Sequence, residues 1–197
     1  MENQFNKDYW TNRWEKGETG WDMGTVSTPL KEYIDQLVNK EVRILIPGCG
    51  NSYEAEYLWT KGFHNTHVLD FSAKALNQFQ QRLPEFPATQ MHCSDFFQMT
   101  GQFDLILEQT FFCALHPSLR PAYVQQMNDL LLPGGKLVGL LFDENGKTDS
   151  PPFGASTLQY QEYLSPSFSI RTLEPAHNSI LPRAGRELFF IAVKKAV

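Results

Sequence analysis

Gly48 and Gly50 follow the apolar run Ile44-Leu45-Ile46-Pro47, and Asp70 closes a second run, Val68-Leu69-Asp70, 22 positions after Gly48. A strand that ends in small residues lets the backbone approach a ligand closely, and a carboxylate about 20 positions further on can accept both hydroxyls of a ribose. The pair points to a ligand that carries adenosine. Asp95, just past a third candidate strand, adds another polar position along the same sheet edge, where open α/β sheets bind their ligands.

The rest of the loop decides among adenosine ligands. A dinucleotide fingerprint wants Gly or Ala at its sixth position, where this chain has Tyr53, and it contains no Gly-Lys-Ser/Thr for a phosphate-cradling loop. Glu54 and Glu56 put two carboxylates into the first helical turn, an unfavourable setting for a pyrophosphate at a helix N-terminus. These features argue against a nicotinamide oxidoreductase and for a ligand without phosphates. S-adenosylmethionine meets that description, with an adenine, a ribose for Asp70, a zwitterionic amino acid and a sulfonium cation. Trp10 and Trp14, four apart on one side of a helix, and Trp21 beyond them can close over that cation, each cation-π contact being worth roughly 0.5 to 2 kcal/mol. The same spacing also suits an N-terminal helix that packs onto the sheet.

The elements that must position these residues follow an alternating pattern. Strands are predicted over 42–46, 66–70, 88–93, 103–108 and 136–142, each short and apolar, as expected where both faces of a parallel sheet are covered. Between them, Asn51 with Glu54 reads as a capping box opening a helix that ends at Gly62. Ser72 caps a second helix to Leu83, with Leu76, Phe79 and Leu83 on one face, and a third runs over 118–132 to Pro133-Gly134-Gly135. A Gly/Ser/Pro-rich loop over 143–156 and a short helix then precede strands at 168–173 and 187–193, an antiparallel pair at the sheet edge. The N-terminal 40 residues come before the sheet and are helical to about Lys16. The expectation is one α/β domain over residues 1–197.

Composition narrows the partners. Seventeen basic against twenty-two acidic residues give a formal charge of −5, with no basic stripe to track phosphates, so a nucleic-acid partner is not expected. No apolar run reaches a membrane span and the N-terminus is not a signal peptide, so a cytoplasmic protein is expected. Cys49, Cys93 and Cys113 are too scattered for a disulfide framework or a metal site; three reduced thiols and no metal are expected. The default oligomeric state is a monomer.

Several longer segments are recognisable together. Tyr9-Trp10-Thr11-Asn12-Arg13-Trp14-Glu15 is followed by Gly20-Trp21-Asp22, then by Ile46-Pro47-Gly48-Cys49-Gly50, then by Phe103-Asp104-Leu105-Ile106 leading to Phe111-Phe112-Cys113-Ala114-Leu115. Over roughly residues 8 to 193 the chain resembles the thiopurine S-methyltransferase family, and within it the branch of halide and thiol methyltransferases, to which Arg120-Pro121-Ala122 and Pro151-Pro152-Phe153 are similar as well. The resemblance implies a Rossmann-like class I methyltransferase fold, with a seven-stranded, mostly parallel sheet, an antiparallel last strand and S-adenosylmethionine as methyl donor. Carried over by position, Trp10, Trp14 and Trp21 form part of the cofactor cover, and Gly48, Cys49 and Gly50 lie under the amino-acid portion. Asp70, beside Phe71, binds the ribose, and Asp95 and Phe96 flank the adenine. Gln109 stands near the cofactor where thiopurine-type enzymes have Arg and plant halide-type enzymes have Tyr, so this chain follows neither pattern there.

Transfer of a methyl group from a sulfonium to a soft anion cancels opposite charges, which a dry cavity favours. Phe111, Phe112 and Phe153 are the candidates for the substrate wall, with core packing as the competing role. No catalytic residue is assigned. A thiol with a pKa near ~8.5 already supplies some thiolate near neutral pH, so no dedicated base is required. His116 alone among five histidines falls just past the fourth strand and is a candidate base or a capping residue; Glu108 at the end of that strand is a weaker one, and Arg183 and Arg186 either bind an anionic substrate group or solvate a hairpin. The acceptor is therefore a small molecule, a thiol, hydrosulfide, thiopurine or halide. The alternatives are an unrelated small acceptor or a protein that binds S-adenosylmethionine without turnover.

Overall fold

A seven-stranded sheet in the order β3-β2-β1-β4-β5-β7-β6 forms the centre of the computed structural model, which describes residues 5–143 and 149–196. The strands are β1 (Ile44–Pro47), β2 (Thr66–Asp70), β3 (Met91–Cys93), β4 (Phe103–Gln109), β5 (Leu131–Phe142), β6 (Phe168–Pro175) and β7 (Glu187–Lys194). From β3 to β5 every pairing is parallel, and β7 lies antiparallel between β5 and β6. The helices are α1 (Lys7–Lys16), α2 (Thr28–Asp35), α3 (Tyr53–Thr60), α4 (Ala73–Arg82), α5 (Phe111–Ala114), α6 (Arg120–Leu130) and α7 (Thr157–Leu164).

The alternation of side chains along each strand divides the core into two layers. Leu45, Ile106, Leu137 and Leu141 face Phe112, Tyr123, Met127 and Tyr160 on α5, α6 and α7. Their neighbours Ile44, Ile46, Leu105, Leu107, Val138 and Leu140 face Leu30, Ile34, Leu58, Leu76 and Phe79 on α2, α3 and α4. Helices on both faces explain why the strands read as continuous apolar runs rather than alternating ones. β1 leads outward through β2 to β3, and the chain then returns to place β4 on its other side, so the strand order reverses between β1 and β4. A crevice opens beyond the C-terminal ends of strands at such a point.

Most predicted elements occur, with instructive differences at their ends. Ser72 caps α4 through its side chain to the Ala75 N–H at 3.3 Å, and Leu76, Phe79 and Leu83 are buried together. β3 is only three residues long because residues 88–90, after Pro87, form a 3-10 turn instead. β5 begins at Leu131 rather than 136, because Leu131 pairs with Phe103 before the register shifts. The capping box expected at Asn51 is absent. Ser52 holds the N-cap of α3 in a left-handed conformation (φ 58°), the Asn51 amide donates to Asp22, and Glu54 accepts the Ser27 N–H at 2.9 Å. α2 was not anticipated; Pro29 starts it, and it buries Leu30 and Ile34 against the sheet.

Candidate active site

The loops after β1, β2, β4 and β5 and the N-terminal segment enclose a cavity of about 460 Å³ at the crevice. Volumes of this order hold small organic ligands. Gly48 sits at φ 58°, and a Cβ there would lie 2.2 Å from Cδ2 of Phe111, so only glycine allows the Phe111 ring to lie against the loop. At Gly50 the positive φ (51°) favours glycine, and the indole of Trp14 lies in ordinary contact distance, 3.4 Å from where a Cβ would be. Gly48 thus lets an aromatic side chain form the wall directly on the backbone.

Asp70 ends β2 with both oxygens on this loop. Oδ2 accepts the Gly50 N–H at 2.9 Å and Oδ1 the Ser72 N–H at 2.8 Å, while burial pushes its pKa above the usual carboxylate value. Each oxygen keeps a lone pair for a ligand hydroxyl. Gln109 closes β4 and lines the cavity, and its buried Nε2 has no partner among the described residues. A buried amide nitrogen with no protein acceptor is open to an acceptor on a water or a ligand. Cys49 lies within the loop, but burial raises its thiol pKa well above the ordinary value, which keeps it protonated and unreactive.

The cover comes from the N-terminal 40 residues. Trp10 and Trp21 meet edge to face at 5.3 Å, Trp14 and Trp21 at 6.0 Å, and all three line the cavity. Trp14 is itself 6% exposed, so it serves the packing role as well as the lining one. Hydrogen bonds to the rest of the fold hold this segment down. The Trp21 carbonyl accepts Nη2 of Arg183 at 2.6 Å, Asp22 accepts the Asn51 amide and, at 3.4 Å, the Tyr53 hydroxyl, and the Glu15 carbonyl accepts Lys74 Nζ at 3.2 Å. Arg183 is nearly buried, with Nη1 on Glu187 Oε1 at 2.9 Å, so its charge is already matched within the protein.

The cavity also has an apolar lining, from Phe111, Ala114, Phe142, Pro151 and Pro152. Phe71 and Phe96 line a smaller adjoining cavity of about 60 Å³, together with Asp70 and Phe111. Asp95 lines neither; its side chain accepts the Phe97 N–H at 2.9 Å and caps a 3-10 turn. Phe112 and Phe153 also line neither. Phe112 is buried between Tyr123 and Tyr160, and Phe153 packs edge to face on Phe5 and His116. Phe111 and Phe112 part company because Thr110, at φ 59°, turns the chain into α5 with successive residues on opposite sides. His116 also lies outside both linings; its Nδ1 meets Ser118 Oγ at 2.8 Å, and it caps the following 3-10 turn.

Beneath α5, Glu108 is fully buried. Its Oε1 accepts the Phe112 N–H at 2.8 Å, Oε2 has no partner among the described residues, and burial raises its pKa to about 8. It therefore braces the start of α5 rather than reaching the cavity. Cys113 beside it is pushed up to about 12, again by burial. Sequence reasoning missed Asp22, Glu54, Phe142, Pro151 and Pro152 as lining residues. The pairing of Trp21 with Asp22 and the double proline were the available signals.

Residues 5–189 match the family model described as thiopurine S-methyltransferase. The probable thiol methyltransferase 2 of Arabidopsis thaliana is 31% identical over 184 residues, covering 90% of this chain and 81% of the plant protein. Thiocyanate methyltransferase 1 of Brassica oleracea is 29% identical over the same shares. Among solved structures, the Burkholderia thailandensis 1,6-didemethyltoxoflavin-N1-methyltransferase, with bound 1,6-didemethyltoxoflavin and S-adenosylhomocysteine, superposes with a TM-score of 0.77 at 17% identity, covering 96% of this chain and 87% of that one.

Proposed function

Since the chain belongs to the thiopurine S-methyltransferase family and is an S-adenosylmethionine-dependent methyltransferase, we propose that its acceptor is a small soft nucleophile, foremost a thiol or hydrosulfide, with thiopurines and halides in the same chemical class. The observation that carries this reading is the apolar wall of Phe111, Phe142, Pro151 and Pro152 in the same cavity as the 48–50 loop and Asp70. The relatives named for thiols and thiocyanate support it.

The residues fit the methyl donor. Asp70 has lone pairs for the ribose, the unpartnered Gln109 Nε2 offers a donor, the 48–50 loop takes the amino-acid portion, and Trp10, Trp14 and Trp21 cover it. Phe71 and Phe96 in the adjoining cavity are assigned to the adenine end, with Asp95 between the lining residues Ser94 and Phe96 in sequence. When bound, S-adenosylmethionine supplies a methyl group on a sulfonium that leaves as a neutral thioether.

The protein's own contribution is placement and dryness. Phe111, Ala114 and Phe142 exclude water from the acceptor sulfur, so a thiolate is held without its hydration shell, and in-line alignment turns an encounter into an effectively unimolecular step. The proton leaves to solvent before transfer, because a thiol with pKa near ~8.5 is partly ionised near neutral pH. Glu54 is not needed as a base, and one of its oxygens is engaged by the Ser27 N–H. In this reading residues 1–197 act as one methyltransferase unit, residues 1–40 as its cover, and the protein works as a cytoplasmic monomer. The three free cysteines and the scatter of the exposed Val38, Leu158 and Leu181 support that setting.

The test is S-adenosylhomocysteine formed from S-adenosylmethionine with hydrosulfide, aryl and alkyl thiols, a thiopurine, thiocyanate and iodide. Acceptor-dependent product with the sulfur nucleophiles is expected. Tight binding of S-adenosylhomocysteine with no turnover on any of them would refute the acceptor class.

A further inference from the structure

Among the described residues, six charged side chains line the cavity: Arg13, Asp22, Glu54, Asp70, Arg183 and Arg186. Five are engaged within the protein. Arg13 donates to the Tyr9 hydroxyl at 3.0 Å and the Glu18 carbonyl at 3.2 Å, and Arg183 is paired with Glu187. Asp70 and Glu54 accept backbone N–H groups, and Asp22 holds Asn51 and Tyr53. Arg186 differs. It is exposed at the rim, its one side-chain hydrogen bond is a long 3.5 Å contact to the Pro182 carbonyl, and, like Arg13, it has no ion pair among the described residues. Its guanidinium lies 5.7 Å from the centre of the Phe142 ring, which is also part of the apolar wall.

A cation at the mouth, one ring away from the acceptor wall, is suited to a fixed anion carried by the acceptor. We propose that Arg186 is a specificity-determining residue that favours thiols bearing a carboxylate remote from the sulfur, the acceptor's flat body resting on Phe142 and the prolines. The proposal rests on the soft-nucleophile reading above and names its substrate class. The thiolate itself is the wrong partner, because its charge is partly neutralised in the transition state, and a cation holding it would stabilise the ground state more. A remote carboxylate keeps its charge throughout, so its contact with Arg186 is uniform and lowers KM without changing kcat.

The probes are 4-mercaptobenzoate and its neutral isostere 4-mercaptobenzamide, assayed by S-adenosylhomocysteine formation with wild-type protein, Arg186→Gln and Arg186→Lys. Wild type is expected to prefer the carboxylate, and Arg186→Gln to reduce the carboxylate-to-amide ratio of kcat/KM by about fivefold through KM, the scale of a partly exposed charge pair. Arg186→Lys keeps part of the preference, and the wild-type ratio falls as salt rises. An unchanged ratio in Arg186→Gln, or an equal loss of kcat on both acceptors, overturns the assignment. So does a matching loss of S-adenosylhomocysteine affinity by titration, which would give the guanidinium to the methyl donor's carboxylate. If wild type turns over neither thiol, the assignment also fails, while the soft-nucleophile class stands or falls on the full acceptor panel above.

Discussion

Replacing Glu108 by Gln removes a pH dependence of stability, so the variant gains on wild type as pH rises. The buried carboxyl has its pKa raised from 4.5 to about 8 by burial, so between those values the native state holds a proton that the unfolded chain has released. Stability therefore falls as pH rises through that window and is flat again above it. At about 1.4 kcal/mol per pH unit the full loss is of order 5 kcal/mol, an upper value that relaxation around the charge reduces. In Glu108→Gln the amide oxygen still accepts the Phe112 N–H, and its nitrogen falls where Oε2 has no partner, as does the O–H of the protonated wild-type carboxyl, so the two neutral side chains differ by about 1 kcal/mol. The variant is thus close to wild type in stability at pH 5 and more stable at pH 9. Urea denaturation at intervals from pH 5 to 9, with the m-value checked for constancy, measures the difference. Two parallel stability curves would refute the reasoning, because they would mean that Glu108 ionises in the folded protein as it does in the unfolded one.

Gly48→Ala forces a Cβ to within 2.2 Å of Phe111 at a positive φ, so S-adenosylhomocysteine affinity by calorimetry should fall at least about tenfold, with about 1 to 2 kcal/mol of backbone strain besides. Asp70→Asn substitutes an NH₂ for one of the oxygens that accept Gly50 and Ser72, and should weaken the same binding by about tenfold or more. Phe112→Ala should cost about 3 to 5 kcal/mol of stability in denaturant, whereas Phe111→Ala should act mainly on acceptor KM, since Phe111 lines the cavity and Phe112 does not. Arg183→Met leaves Glu187 buried without its cation and should cost about 3 kcal/mol or more; Arg183→Met with Glu187→Leu should regain stability but still show faster hydrogen exchange over residues 20–24, where the Trp21 carbonyl has lost its donor.

What the sequence revealed depended on how locally each feature is encoded. β2 was legible to the residue, and Ser72 as a cap with it, because burial on both faces writes an apolar run and capping needs only the next three residues. Gly48, Gly50 and Asp70 were legible because a close backbone approach and a carboxylate one unit later leave a fixed spacing. The substrate wall was not, since adjacent phenylalanines diverge at a turn whose φ depends on tertiary packing. The start of α3 shows the limit most clearly. Asn51 and Glu54 satisfy the local capping pattern, yet Asn51 serves Asp22 and Glu54 serves Ser27, partners 29 and 27 residues away. Both side chains gave up capping to hold the N-terminal segment against the cavity, as Arg183 does across 162 residues. Where a local rule fails beside a ligand-sized cavity, the residue that breaks it is a candidate for building the site.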